Sequence, residues 1–125
     1  MIFRVARHTN DLEKIIEFYT KIMGFERLGE FKNHDGYYGV FIGKKGADWH
    51  LEFTTSQDNA NHKFDPDDLL VFYPESETEY RETLNRIHEN LIDPVTPKNP
   101  YWAVNGKMFL DPDGFLVVIS NLKIS

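Results

Sequence analysis

The chain has 125 residues, 41% of them hydrophobic, and no cysteine; that is enough for one domain with a real core and too little for two ordinary ones. A net charge of −6 without any Lys/Arg cluster argues against nucleic acid as a partner, and the lack of thiols excludes disulfides, zinc knuckles and thiol catalysis. No segment approaches transmembrane length and the start, MIFRVARHTN, lacks the apolar core of a signal peptide, so no membrane is expected and the cytoplasm is the expected location.

Residues 2–8 (IFRVARH) fit a short alternating strand, with Phe3 and Val5 on one side and Arg4, Ala6 and His8 on the other. Asn10 reads as a helix cap, with Glu13 placed to complete a capping box. Leu12, Ile15, Ile16, Tyr19, Ile22 and Met23 then form one apolar stripe at helical spacing, and Gly24 ends it. Strands are predicted at 25–32, 37–43 and 47–54, joined by turns at Asn33–Gly36 and Lys44–Gly46. The polar stretch 56–67 reads as a surface linker.

The order then recurs. LLVFY (69–73) is a strand, Ser76 with Glu79 is a second capping box, and Tyr80, Leu84, Ile87 and Leu91 mark a helix that Pro94 closes. Short strands are predicted near 95–97, 102–110 and 115–121, the last two flanking the Asp111-Pro112-Asp113-Gly114 turn. The chain is therefore α+β, with two paired βαβββ modules at about 1–55 and 68–122. A helix covers one face of a sheet; the uncovered faces are free to curve, as a mixed sheet, around a cleft.

Parity assigns the candidate site. If Trp49, Leu51 and Phe53 pack under the first helix with Phe3 and Val5, then Arg4, His8, His50 and Glu52 face the other way. On the last strand, Leu116, Val118 and Ser120 share one face and Phe115, Val117 and Ile119 the other. Trp102 could reach the interior, although it, Phe41 and Phe109 also read as core; Tyr37, Tyr38 and Tyr101 suit a cavity mouth. His34, His62 and His88 fall in a turn, the linker and a polar helix face, where solvent is expected. No glycine-rich phosphate loop and no G-x-S-x-G nucleophile motif occurs.

Three stretches, NDLEKIIEFYTKIMGF (10–25), WHLEFT (49–54) and FLDPDGFLVVIS (109–120), together resemble the vicinal oxygen chelate superfamily of glyoxalase I, extradiol dioxygenases, and fosfomycin- and bleomycin-resistance proteins. The resemblance implies a homodimer and, in metal-dependent relatives, a ligand on the first and fourth strand of each module. Those positions fall here on Arg4, Glu52, Leu69 and Val118. Arginine has no free lone pair, and Leu and Val offer none, so no cofactor is expected. Arg4 can instead supply a counter-charge to Glu52. The resemblance thus implies a small-molecule-binding protein whose ligand meets Arg4, His50, Glu52, Trp102 and Val118, with Glu52 a candidate general base. The alternative is a glyoxalase-like lyase or isomerase, or a dioxygenase, with a divalent metal in a rearranged His8, His50 and Glu52 site.

Overall fold

The computed structural model describes residues 1–123 and divides into two compact units, Met1–His62 and Lys63–Ser125. Among the described residues, no helix is long and apolar enough to cross a membrane.

In the first unit, β1 (Phe3–His8) leads into α1 (Leu12–Glu17), which continues as a π-helical segment (Phe18–Ile22). Three strands follow: β2 (Glu26–His34), β3 (Tyr37–Gly43) and β4 (Trp49–Thr55). The sheet order is β1-β4-β3-β2, with β1 and β4 parallel and the remaining pairs antiparallel. Asp35 and Gly36, both at positive φ, make the two-residue turn between β2 and β3 that the twist of a hairpin favours.

The apolar stripe of the helix lies against β3 and β4. Ile15, Phe18 and Tyr19 meet the face formed by Val40, Ile42, Leu51 and Phe53, all buried; the Tyr19 and Phe53 rings stack at 4.9 Å. Burying side chains of this size is worth about 1.5–3 kcal/mol each, far more than surface ion pairs supply. The helix-side face therefore holds the unit together and leaves the opposite face free to be polar.

Two local expectations change. The helix stops short of the edge strand, so Phe3 is 63% exposed and Val5 also remains exposed; neither packs under the helix as parity suggested. The N-cap is Asp11, whose side chain accepts from the Lys14 N–H at 3.1 Å. Asn10 instead clamps residue 60: its Oδ1 accepts from the Ala60 N–H at 2.8 Å and its Nδ2 donates to the Ala60 carbonyl at 3.2 Å. The segment 56–62 is thereby tied to the end of β1 rather than hanging as a free connector.

The second unit contains β5 (Leu69–Phe72), α2 (Glu77–Glu89), α3 (Pro100–Asn105), β6 (Lys107–Leu110) and β7 (Leu116–Ile119), in sheet order β5-β7-β6. Its pairing repeats that of the first unit: β5 is parallel to β7, and β6 antiparallel to it. The strand corresponding to β2 is reduced to one antiparallel bridge, Val95 to Met108. Residues 102–105, the start of the strand expected at 102–110, belong instead to the helix Pro100–Asn105, because Pro100 opens the segment and Asn99 caps it, accepting from the Tyr101 N–H at 3.0 Å. The Asp111 turn forms as read, with Asp111 Oδ1 accepting from the Asp113 and Phe115 N–H groups at 2.9 and 3.0 Å. Mixed α+β architecture with two sheets of mixed strand order is thus the observed class.

Candidate functional site

The face of the first sheet that α1 does not cover carries the candidate site. Parallel pairing puts Arg4 beside His50, Ala6 beside Glu52 and His8 beside Thr54. On the other side of β4, Phe41 lies opposite Glu52 and Gly43 opposite His50. Register alone thus gathers Arg4, His50, Glu52 and Phe41 on one surface.

Arg4 joins them. Its Nε–H donates to His50 Nε2 at 2.8 Å, its guanidinium carbon lies 4.7 Å from the Phe41 ring centroid, and Nη1 is 3.8 Å from Glu52 Oε2. Arginine can only donate, so His50 Nε2 is an acceptor; the imidazole is neutral in this arrangement with its proton on Nδ1. The Phe41 and His50 rings meet edge to face at 5.7 Å. Three contacts thus define the guanidinium plane while half of the Arg4 side chain stays exposed. Glu52 is more enclosed, at 15% side-chain exposure. Among the described residues no hydrogen bond reaches its carboxylate, and the Arg4 contact is its ion pair.

An aromatic shelf adjoins the polar group. Phe31 on β2 lies over Gly39, where an added Cβ would sit 2.3 Å from the ring, and its centroid is 5.9 Å from that of Phe41. Neither Phe31 nor the open-face position of Phe41 stood out from the sequence. The alternation Gly39-x-Phe41-x-Gly43 carried the signal: two glycines flanking a large ring on one face leave it room.

His8 shares this face but has other partners. Its Nε2 lies 3.1 Å from the Asp58 carbonyl and 3.2 Å from Ser56 Oγ, and its Nδ1 lies 3.0 Å from Thr54 Oγ1. A carbonyl only accepts, so Nε2 carries the proton. The His8 carbonyl in turn meets His62 Nε2. His8 therefore fastens the 56–62 segment, and His8, His50 and Glu52 are not gathered into one ligand set. Among the described residues, no three His, Cys, Asp or Glu side chains are placed to hold a metal ion.

Trp102 and Val118 belong to the second unit. Leu69, Val71, Leu116 and Val118 share one face of its sheet, and Val118 is 0% exposed. Met108, Leu116 and Val118 form a cluster against which Leu69, Val71, Val95 and Trp102 pack. Gly106, between α3 and β6, allows the close approach, since a Cβ there would lie 2.6 Å from Val118 Cγ1. The two positions of this unit that correspond to metal ligands, Leu69 and Val118, are thus parts of a packed apolar cluster. With Arg4 at the third position, Glu52 is the one ligating group of the four, and this donor set does not fit a divalent cation.

Paired β-α-β order, first and last strands parallel in each sheet, and a polar face opposite the first helix define a protein of the vicinal oxygen chelate superfamily, of glyoxalase, fosfomycin-resistance and bleomycin-resistance type. Residues 3–54 match the YycE-like N-terminal domain and residues 67–121 the YycE-like C-terminal domain. The chain belongs to the YycE-like family. It is 39% identical over 121 residues to YycE of Bacillus subtilis, spanning 96% of this chain and 87% of that protein. The crystal structure of Bacillus subtilis YycE, described as of unknown function and as a candidate glyoxalase/fosfomycin resistance protein, superposes with a TM-score of 0.89 at 38% identity, covering 99% of this chain and 91% of the other. Trypanothione-dependent glyoxalase I of Leishmania major shares the fold at a TM-score of 0.74 and 20% identity, over 97% and 86% of the two chains. The fosfomycin resistance protein FosX of Mesorhizobium loti does so at 0.69 and 10%, over 97% and 90%.

Proposed function

We propose that this protein binds a small organic molecule on the open face of its first sheet, at Arg4, His50 and Glu52 beside the Phe41 ring, without the metal that serves metal-dependent relatives. The observation that carries this reading is the state of Glu52. A carboxylate this enclosed, with its ion-pair partner at 3.8 Å and no hydrogen-bond donor among the described residues, keeps its acceptor capacity open to a ligand that brings a donor. Arg4, held in plane but half exposed, supplies donors from the same surface. In this reading the protein acts as a cytoplasmic homodimer.

Amide-detected NMR of the full chain against a library of small organic acids, amines and amides tests it. Hits are expected to perturb Gly39, Phe41, His50 and Glu52 together, and to weaken at least tenfold in Glu52→Gln. A library that leaves those amides unmoved, or a Glu52-dependent stoichiometric divalent ion, overturns the reading.

A further inference from the structure

Resting on that open-face reading, we propose that the ligand is a small zwitterion with a ring-bearing apolar body, of the amino-acid type: a carboxylate for Arg4 and a protonated amine for Glu52. The argument starts from charge. Arg4 is always cationic. His50 accepts the Arg4 Nε–H, so it adds no charge. Glu52 completes the group as a carboxylate. The polar cluster is therefore a dipole with no net charge, its two poles 3.8 Å apart.

A dipole selects against single charges. A simple anion gains Arg4 but meets Glu52, which is more enclosed and so less screened. A simple cation gains Glu52 and meets Arg4. Each unmatched group costs part of what its partner gains, and like-charge juxtaposition is how polar sites reject wrong ligands. A molecule carrying both signs on neighbouring atoms satisfies both poles at once.

Geometry adds direction. Nε of Arg4 is occupied by His50, and the guanidinium plane is fixed over Phe41. The terminal nitrogens are left as the binding edge, and a planar edge of paired N–H groups matches a carboxylate. Phe31 and Phe41, neighbours at 5.9 Å, give an apolar body somewhere to lie. His50 is then a positioning residue: it presets Arg4 and need not touch the ligand.

The test compares three probes on the wild-type full chain by amide-detected NMR titration: L-phenylalanine, phenethylamine, which lacks the carboxylate, and 3-phenylpropionate, which lacks the amine. Phenylalanine is expected to shift the Gly39, Phe41, His50 and Glu52 amides and to bind at least tenfold more tightly than either half. Arg4→Gln is expected to bring phenylalanine down to the level of phenethylamine, and Glu52→Gln to the level of 3-phenylpropionate. Should either variant fail to fold, the wild-type comparison decides alone. Equal or tighter binding of 3-phenylpropionate at the same amides overturns the zwitterion and leaves open-face binding intact. Silence from all three probes overturns it as well, and binding by other library members then shows that only the ligand class was wrong.

Discussion

At the residue scale, the open face depends on what is missing at Gly39. A methyl group there would stand 2.3 Å from the Phe31 ring, a distance no packed pair tolerates, so the ring must move. Gly39→Ala is expected to cost about 1–2 kcal/mol in urea-induced unfolding. In a Phe31→Ala background the same change should cost almost nothing, since the clash has gone. Additive effects in this double-mutant cycle would mean that the shelf is not what Gly39 protects. Arg4 teaches the complementary lesson. The residue type excluded metal ligation from the sequence alone, and the resemblance placed it near Glu52. The contacts with His50 and Phe41 could not be read, because they join strands 46 and 37 positions apart in the chain through a side chain whose rotamer is set by packing.

Elements show how far local signals reach. Both long apolar stripes were legible, and both helices leave through a left-handed residue. After the first it is Gly24, at φ 85°. After α2 it is Leu91, at φ 61°. The Leu91 N–H bonds to the His88 carbonyl at 3.0 Å and the Ile92 N–H to the Ile87 carbonyl at 3.2 Å, the two bonds of a Schellman ending. Leu91 therefore does not extend the helical stripe, as its spacing suggested; it is 90% exposed. A side chain in this conformation costs roughly 1 kcal/mol relative to glycine. Leu91→Gly is expected to raise the unfolding free energy by about that amount, with thermal or chemical denaturation as the check; a loss of stability would mean that the Leu91 side chain has packing value. The same competition between local signals explains Asn10. Asn10 and Asp11 both suit a cap, and a partner 50 residues away, Ala60, took the first and left the second for the helix.

On the scale of the whole molecule, the two units share a pairing plan and differ in what they place on the corresponding face. The first presents Arg4, His50 and Glu52 on it. The second fills it with Leu69, Val71, Met108, Leu116 and Val118, against which Trp102 packs. Restoring a family ligand should therefore damage the second unit rather than equip it. Val118→Glu places a carboxylate at a position with 0% exposure and is expected to destabilise by about 3–5 kcal/mol. Manganese or zinc should not recover the loss, as read by thermal unfolding with and without the ion. Recovery would show that the site needs only one more donor.

From the residues alone came the α+β class, most of the repeated order of elements, the superfamily and the lack of a ligating atom at Arg4, Leu69 and Val118. Each of these is written in residue type and in periods of two or 3.6, which local chemistry reads directly. Tertiary structure decided that Phe3 and Val5 stay exposed, that His8 fastens 56–62, and that Arg4, His50, Glu52 and Phe41 meet. Those outcomes depend on strand register and on the reach of one helix across a sheet, and register is a sum over many pairings that no short stretch contains.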